Sequence, residues 1–372
     1  MNDVSELREQ LRSFDDDDEL ARVRLMPGAE ITPRPIHWLW NHWLACGKIH
    51  IIGGQPGTGK TTLALALAAT VTIGGVWPDG TRAARGNVLI WSGEDSAEDT
   101  LVPRLTAAGA DLTRVFFVND WTLADKSRPF DPSRDVDALA RTLGTTEFSL
   151  MVVDPIVSAV AGDSHKNAEV RRSLQPLADL ATRTGCAVLG ITHLTKGTGG
   201  SDPLERITGS LAFGAVARLV FIAAKPQDGE GSRMFCRAKS NIGPDGGGYE
   251  YDLAGVELSA HPGVFTSVAR WGNPLEGSAR DLLAVADESP DDTGERSDAC
   301  RFLADLLADG PVNSKQVMSD ARQAGVAERT LHRAKKELGV ESLREAMPSG
   351  KHHWVWRLPP TITIQPHHRP EE

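Results

Sequence analysis

One short run restricts the fold of this chain more than any other part of it. It reads Gly54-Gln55-Pro56-Gly57-Thr58-Gly59-Lys60-Thr61-Thr62, a G-x-x-x-x-G-K-[ST] pattern. Ile49 to Ile52 ahead of it is an apolar run suited to a buried strand, and TTLALALAA behind it is built from strong helix formers. Strand, glycine loop and helix thus stand in the order that a phosphate-binding loop needs. The glycines let backbone N–H groups curl around a phosphate, and the new helix aims its positive end at it. Lys60 can reach the β and γ oxygens, and Thr61 can ligate Mg²⁺. Residues 54–62 are therefore expected to bind ATP with Mg²⁺.

The chain repeats the strand-then-acid arrangement downstream. Asn87 to Trp91 is a second buried-strand candidate with Glu94 and Asp95 at its carboxyl end, where an open α/β sheet binds ligands. Glu94 can serve as general base toward the attacking water, with Asp95 next in line. Equally, both acids can cap the helix that starts near Ser96. After a strand at Val115 to Val118, the run Ser149 to Val153 closes on Asp154, the Walker B pattern of a strand delivering an acid to Mg²⁺. A further strand, Ala187 to Thr192, ends in His193, placed to sense a γ-phosphate ahead of the Gly-rich loop Lys196 to Asp202, which suits a segment that orders on binding. His165, Lys166, Arg171 and Arg172 read as a charged loop and helical face. Segments at Leu219 to Ala223, Met234 to Arg237 and Tyr249 to Leu253 have hairpin-like spacing. The fold expected is α/β, a mostly parallel sheet with antiparallel strands added at one edge. Trp38, Trp40 and Trp43, just before the first core strand, could wall a nucleotide base, cap the sheet or pack on a neighbouring subunit.

Composition bounds the rest. With 372 residues there is room for about two domains, and the four cysteines form no C-x-x-C pair, which argues against zinc and disulfides and for a reducing cytoplasm. No run of about 18 apolar residues and no signal pattern point to a membrane. A formal charge of −10 excludes wholesale coating of nucleic acid, so any DNA contact must come from a local basic patch or channel.

The succession GGQPGTGKTT, IWSGED, LMVVDP, ITHLTKG, ITGSLAFGAVARLVF and RAKSNIGP resembles the RecA-like ATPases of the hexameric replicative helicase group, over roughly Pro35 to Trp271. The plasmid RepA-type branch is the nearer match and DnaB-type helicases the more distant. The resemblance implies a RecA-like P-loop core in a homo-oligomeric ring, expected as a hexamer, with single-stranded DNA in its channel and a primase or replication initiator as partner. It implies the catalytic carboxylate role for Glu94, a role coupling nucleotide state to DNA for His193, and a DNA contact for Lys196. It also implies that Lys239 reaches into the neighbouring subunit's ATP. Where DnaB-like proteins then place an arginine, this chain has Asn241, so Arg237, Arg206 or Arg218 must supply that charge, or hydrolysis is less demanding here.

Composition shifts again at the acidic, Gly/Pro/Ser-containing stretch 272–296, read as a linker with at most one or two helical turns in it. Three amphipathic helical segments follow: ACRFLADLLADG, NSKQVMSDARQAG with Asn313 or Ser314 as cap, and VAERTLHRAKKELGV. Strand candidates at Val340 to Arg344 and His353 to Leu358 complete a small winged helix-turn-helix, residues 297–358. Leu331, Ala334 and Leu338 share one face of its third helix, leaving Arg329, Arg333, Lys335 and Lys336 to meet duplex or single-stranded DNA, or else to dock on protein. Residues 1–35 read as an acidic arm, 36–271 as the ATPase core and 359–372 as a disordered tail. The expected activity is ATP hydrolysis driving a helicase in replication, of phage or plasmid type. The alternatives are an ATP-switched DNA-binding regulator or loader, and a DNA-repair recombinase.

Overall fold

The computed structural model describes residues 25–144, 146–164, 166–195, 201–207, 211–226, 231–287, 290–346 and 352–359. The chain divides into two units, Met1–His37 and Trp38–Glu372. In the first, the described residues form one 3-10 turn, Gly28–Glu30, and expose Leu25, Met26, Ile31 and Ile36.

The second unit opens with the short antiparallel pair β1 (Trp38–Trp40) and β2 (Leu44–Ala45). Strand β3 (Ile49–Gly54) runs into helix α1 (Lys60–Ile73), then β4 (Val88–Ser92), α2 (Val102–Ala107), β5 (Val115–Phe117), the hairpin β6 (Asp120–Leu123) and β7 (Lys126–Pro129), and α3 (Val136–Leu143). There follow β8 (Leu150–Asp154), α4 (Asn167–Thr184), β9 (Ala187–His193), α5 (Leu211–Val216), β10 (Leu219–Ala224), β11 (Arg233–Ser240), β12 (Gly248–Glu257), β13 (Phe265–Leu275) and α6 (Ala279–Ala286). These build a nine-stranded sheet in the order β13-β12-β11-β10-β3-β9-β8-β4-β5. From β10 to β5 neighbours pair in parallel; β11, β12 and β13 continue the sheet antiparallel.

Every residue of β3 is buried, because both sheet faces are covered. On one face Ile49 and Ile51 join Leu174 and Leu177 of α4 and Leu283 of α6; on the other Ile52 joins Leu63 and Leu67 of α1. Helix α1 is apolar around most of its circumference, which a helix tolerates only when buried on more than one side. The hairpin β12–β13 supplies the second cover, with Thr62 Oγ1 3.4 Å from Ser267 Oγ. Trp40 and Trp43 are buried and stacked at 4.8 Å, and Trp40 stacks on Trp77 at 5.1 Å. They pack in the core beneath Tyr249, which rules for the capping role among the three considered for them.

The stretch expected to be a linker is more ordered than its composition implies. Residues 272–275 complete β13, and Ala279, Leu283 and Ala286 of α6 are buried against the main core. Helix α7 (Pro290–Leu307) already begins inside that stretch. Beyond it lie β14 (Val312–Asn313), α8 (Ser314–Gln323), α9 (Glu328–Glu337), β15 (Glu341–Ala346) and β16 (His352–Arg357). The strands form a three-stranded antiparallel sheet, β14-β16-β15, over a core of Ala299, Leu303, Val317, Leu331, Ala334 and Trp356. Asn313 caps α8, its side chain accepting from Lys315 N at 2.9 Å. Leu331 and Ala334 face inward as their spacing predicts, and β14 was not legible at two residues.

Candidate nucleotide and metal site

The phosphate loop leaves β3 at Gly54, and its shape comes from glycine. Gly59 sits at φ 89°, a left-handed conformation costly to any residue with a Cβ, and a Cβ there would lie 2.6 Å from Leu253 Cδ1. A Cβ on Gly54 would come within 2.6 Å of the Ala223 carbonyl. Within the loop the Gln55 carbonyl accepts from Thr58 N and Thr58 Oγ1, closing the turn over Pro56 and Gly57. No side chain caps α1, so the N–H groups of its first turn, from Lys60, Thr61 and Thr62, remain turned toward the loop's concavity. That donor set fits a phosphate.

The strand ends bring the charged groups to this concavity. Gly54 pairs with His193 across β3 and β9, and Ser92 pairs with Asp154 across β4 and β8. Lys60, buried, donates from Nζ to the Gly54 and Gln55 carbonyls at 3.0 and 3.2 Å and lies 3.4 Å from His193 Nδ1. Burial holds its pKa below the ordinary lysine value, with the charges of Asp154 and Glu94 opposing. The same burial, and the Lys60 ammonium after it, depress His193. Thr61 Oγ1 donates to Asp154 Oδ2 at 2.7 Å. Asp154 is pushed up to about 6, first by burial and then by the like charges of Glu94 and Asp95, against the Thr61 hydrogen bond and Lys60.

A hard divalent cation fits this pair. Among the described residues no three His, Cys, Asp or Glu side chains could hold a metal by themselves. Mg²⁺ characteristically takes only one or two protein ligands and completes its shell with water and phosphate oxygens, which one hydroxyl and one carboxylate match.

Glu94 and Asp95 separate cleanly. The Ser92 Oγ accepts from the N–H groups of both, turning the chain after β4. Asp95 is held by Arg104 at 3.1 Å, whereas Glu94 is exposed and has no ion pair among the described residues. Neither caps the helical turn beginning at Ala97: among the described residues no N–H of that turn donates to Glu94 or Asp95, and its N-cap residue is Ser96, whose side chain makes no cap bond either. The charge of Glu94 reaches Lys60, Asp154 and His193, so it faces the site.

The basic residues of β11 lie elsewhere. Arg237 is buried, donates to the Gly246 and His42 carbonyls at 3.0 and 2.9 Å, and stacks over Trp43 at 4.7 Å. Arg206, also buried, makes a bidentate pair with Asp287. Both guanidinium groups are committed within their own chain, which corrects the expectation that Arg237 is free to project into a neighbour. Lys239 Nζ donates to the Gly214 and Ala217 carbonyls at the end of α5 and is partly exposed. Arg218 is exposed, and its charge lowers the pKa of Lys239 after burial does. Lys196 and His165 lie outside the described residues, as do the side chains of Arg329, Arg333 and Lys336.

Three residues join the site that motif reading did not single out. Tyr251 of β12, fully buried, donates its hydroxyl to the Thr58 carbonyl at 2.6 Å, pinning the loop from behind. Leu253, two residues on, packs against Gly59. Lys225, exposed just past β10, brings its Nζ to 3.9 Å from where a Gly57 Cβ would be, which adds a second cation beside the loop tip.

The AAA domain family matches residues 18–199. The DNA repair protein RadA of Halalkalibacterium halodurans is 24% identical over 173 residues, covering 45% of this chain and 33% of that protein. The chain thus spans about a third of the length of the curated relative it matches. The parallel sheet, the phosphate loop and these two similarities together support a RecA-like P-loop ATPase core.

Proposed function

We infer that this chain is a Mg²⁺-dependent ATPase that assembles into a ring, a hexamer by resemblance, and acts on DNA in replication as a RepA-like phage or plasmid helicase. One observation carries the chemical part: the strand ends gather Lys60, Thr61, Asp154, His193 and exposed Glu94 around one loop. In this reading the α1 N-terminus and Lys60 hold the β- and γ-phosphates, and Thr61 and Asp154 hold the ion. Mg²⁺ there neutralises charge on the phosphate oxygens. Glu94 orients and accepts a proton from the attacking water, and His193, hydrogen-bonding distance from Lys60, registers whether a phosphate has drawn that lysine away.

The ring supplies what the chain does not place at its own loop. Lys239, with Arg218 beside it, is the cation pair offered to a neighbour's nucleotide, since both reach solvent, although Lys239 must leave the Gly214 and Ala217 carbonyls, whereas Arg237 and Arg206 are buried. The C-terminal helices and three-stranded sheet then act as a winged helix that contacts DNA, and the reaction takes place in the cytoplasm, with a primase or initiator as partner. Among the described residues no helix is long and apolar enough to cross a membrane.

Two other readings each have an observation in their favour. Asn241, standing where an arginine is expected, favours a slow ATP-controlled switch or loader. Similarity to RadA favours a repair recombinase. ATP turnover measured with and without DNA, beside strand separation on a forked duplex, decides among them. DNA-stimulated turnover with separation supports the helicase; slow turnover without it supports the switch; filaments instead of rings in negative-stain images support the recombinase.

A further inference from the structure

The C-terminal module holds a groove that the functional reading leaves unused. It is an open cleft of about 460 Å³ whose floor is Trp354 and Trp356 of β16 and whose walls are α8 and α9. On α8, Lys315, Met318 and Arg322 fall on one face of the helix and front the groove. The carboxylate of Asp320 lies on another face, where it accepts from Gln316. On α9, Lys335 turns inward, its Nζ 4.1 Å from the Trp356 ring and bonded to Ser342 Oγ. The groove thus takes Lys335 away from the outward basic face expected of α9.

Two features of this groove are out of keeping with the rest of the molecule. The chain as a whole carries 50 acidic against 40 basic residues, yet among the described residues no Asp or Glu lines the cleft while Lys315, Arg322 and Lys335 do. Lys315 and Arg322 are exposed and form no ion pair among the described residues. Trp356 is buried in the module's core, but Trp354, on the same side of the strand, is 55% exposed. A large aromatic face left in water beside unpaired cations matches a polyanion that carries flat apolar rings.

We propose that this groove binds single-stranded nucleic acid, with a base stacked on Trp354 and the flanking phosphates held by Lys315 and Arg322. This rests on the DNA-acting reading above and adds a site, a strand state and named contacts to it. Bases stack on aromatic side chains without regard to sequence, because every base has a π face, and the cations follow the backbone. A duplex hides those faces, so the groove selects unpaired strands.

The test uses the full chain without nucleotide, in chelator, with fluorescein-labelled oligothymidylate and a blunt duplex of equal length, read by anisotropy across a salt series. Wild type is expected to prefer the single strand. Trp354→Ala should weaken that binding about tenfold, Trp354→Phe should restore most of it, and oligothymidylate should quench tryptophan emission in wild type but much less in Trp354→Ala. Lys315→Ala with Arg322→Ala should flatten the salt slope by about 1.4, the value for two phosphate contacts on a single strand. Because Trp354 is exposed, the variants should keep the wild-type circular dichroism, which is checked first. Unchanged affinity and slope in these variants, while wild type still binds, overturn the groove and leave the wider reading standing. Stronger binding of the duplex overturns the single-strand assignment. Absence of any DNA binding or DNA-stimulated turnover in wild type overturns both.

Discussion

The hydroxyl of Tyr251 offers a narrow perturbation of the phosphate loop from a buried residue behind it. Tyr251→Phe keeps the buried ring and removes only the donor that holds the Thr58 carbonyl at 2.6 Å. Thr58 is 1% exposed, so water cannot readily replace that donor. A buried acceptor deprived of its partner costs about 1–3 kcal/mol. The loop can relieve the cost by shifting, and ATP must then reorder it on binding. With about 1.4 kcal/mol per factor of ten, affinity for ATP should fall on the order of tenfold, within a range of about five- to a hundredfold. Tyr249→Phe is the matched control, since the Tyr249 hydroxyl makes no hydrogen bond among the described residues and its ring packs in the same aromatic cluster. Fluorescent ATP-analogue titration in Mg²⁺, run beside urea unfolding, measures both effects. If Tyr251→Phe binds ATP and unfolds like wild type, the hydroxyl is not what shapes the loop, and the reasoning fails.

Three further outcomes are expected. Asp154 has its folded pKa raised from 3.8 to about 6, so its contribution to stability is full below pH 3.8 and is lost as pH rises through about 6. Asp154→Asn, in chelator, should therefore remove a downward slope in unfolding stability between those values, and a slope identical to wild type would refute that origin; Mg²⁺-dependent ATP binding should weaken in the opposite direction, as pH falls through about 6. Glu94→Gln should bind nucleotide normally yet turn over about a hundredfold or more slowly, and normal turnover would pass the role to another group. Lys239→Ala subunits should bind ATP but hydrolyse poorly, and mixing them with Lys60→Ala subunits should recover activity at mixed interfaces; no recovery at any ratio would count against a site shared between subunits.

The strand, loop and helix around Lys60 were legible because their signal is local: the run Ile49 to Ile52, fixed glycine spacing and a helix-forming run lie within one short segment. Asp154 and His193 followed because a buried parallel strand ends where its ligands sit, and both end such strands. What escaped was long-range. Tyr251 meets Thr58 across 193 residues, and no pattern near either announces the other. Arg237 and Lys239 stand on one strand with similar chemistry, yet Trp43 and two carbonyls claim the first while a helix end claims the second. The choice between Glu94 and Asp95 turned on Arg104, a partner nine residues on. In the acidic run after Gly272, composition left room for one or two helical turns but did not show that α6 buries itself through Ala279, Leu283 and Ala286.

The position of β3 has a consequence for how the protein is made. Its two sheet neighbours, β9 and β10, and the hairpin that pins its loop all come later in the chain. A ribosome adds about 5–20 residues per second, so the 193 residues between Thr58 and Tyr251 correspond to roughly 10–40 s of synthesis. During that interval the emerging phosphate loop has glycine spacing but no backing from β12, its flanking strands β9 and β10 arrive only late in it, and non-local pairing of this kind is slow to form. The loop thus gains its backing from Tyr251 only at the end of translation of the core. A product ending before β12 would carry the loop motif without the Tyr251 hydroxyl and the Leu253 side chain that back it.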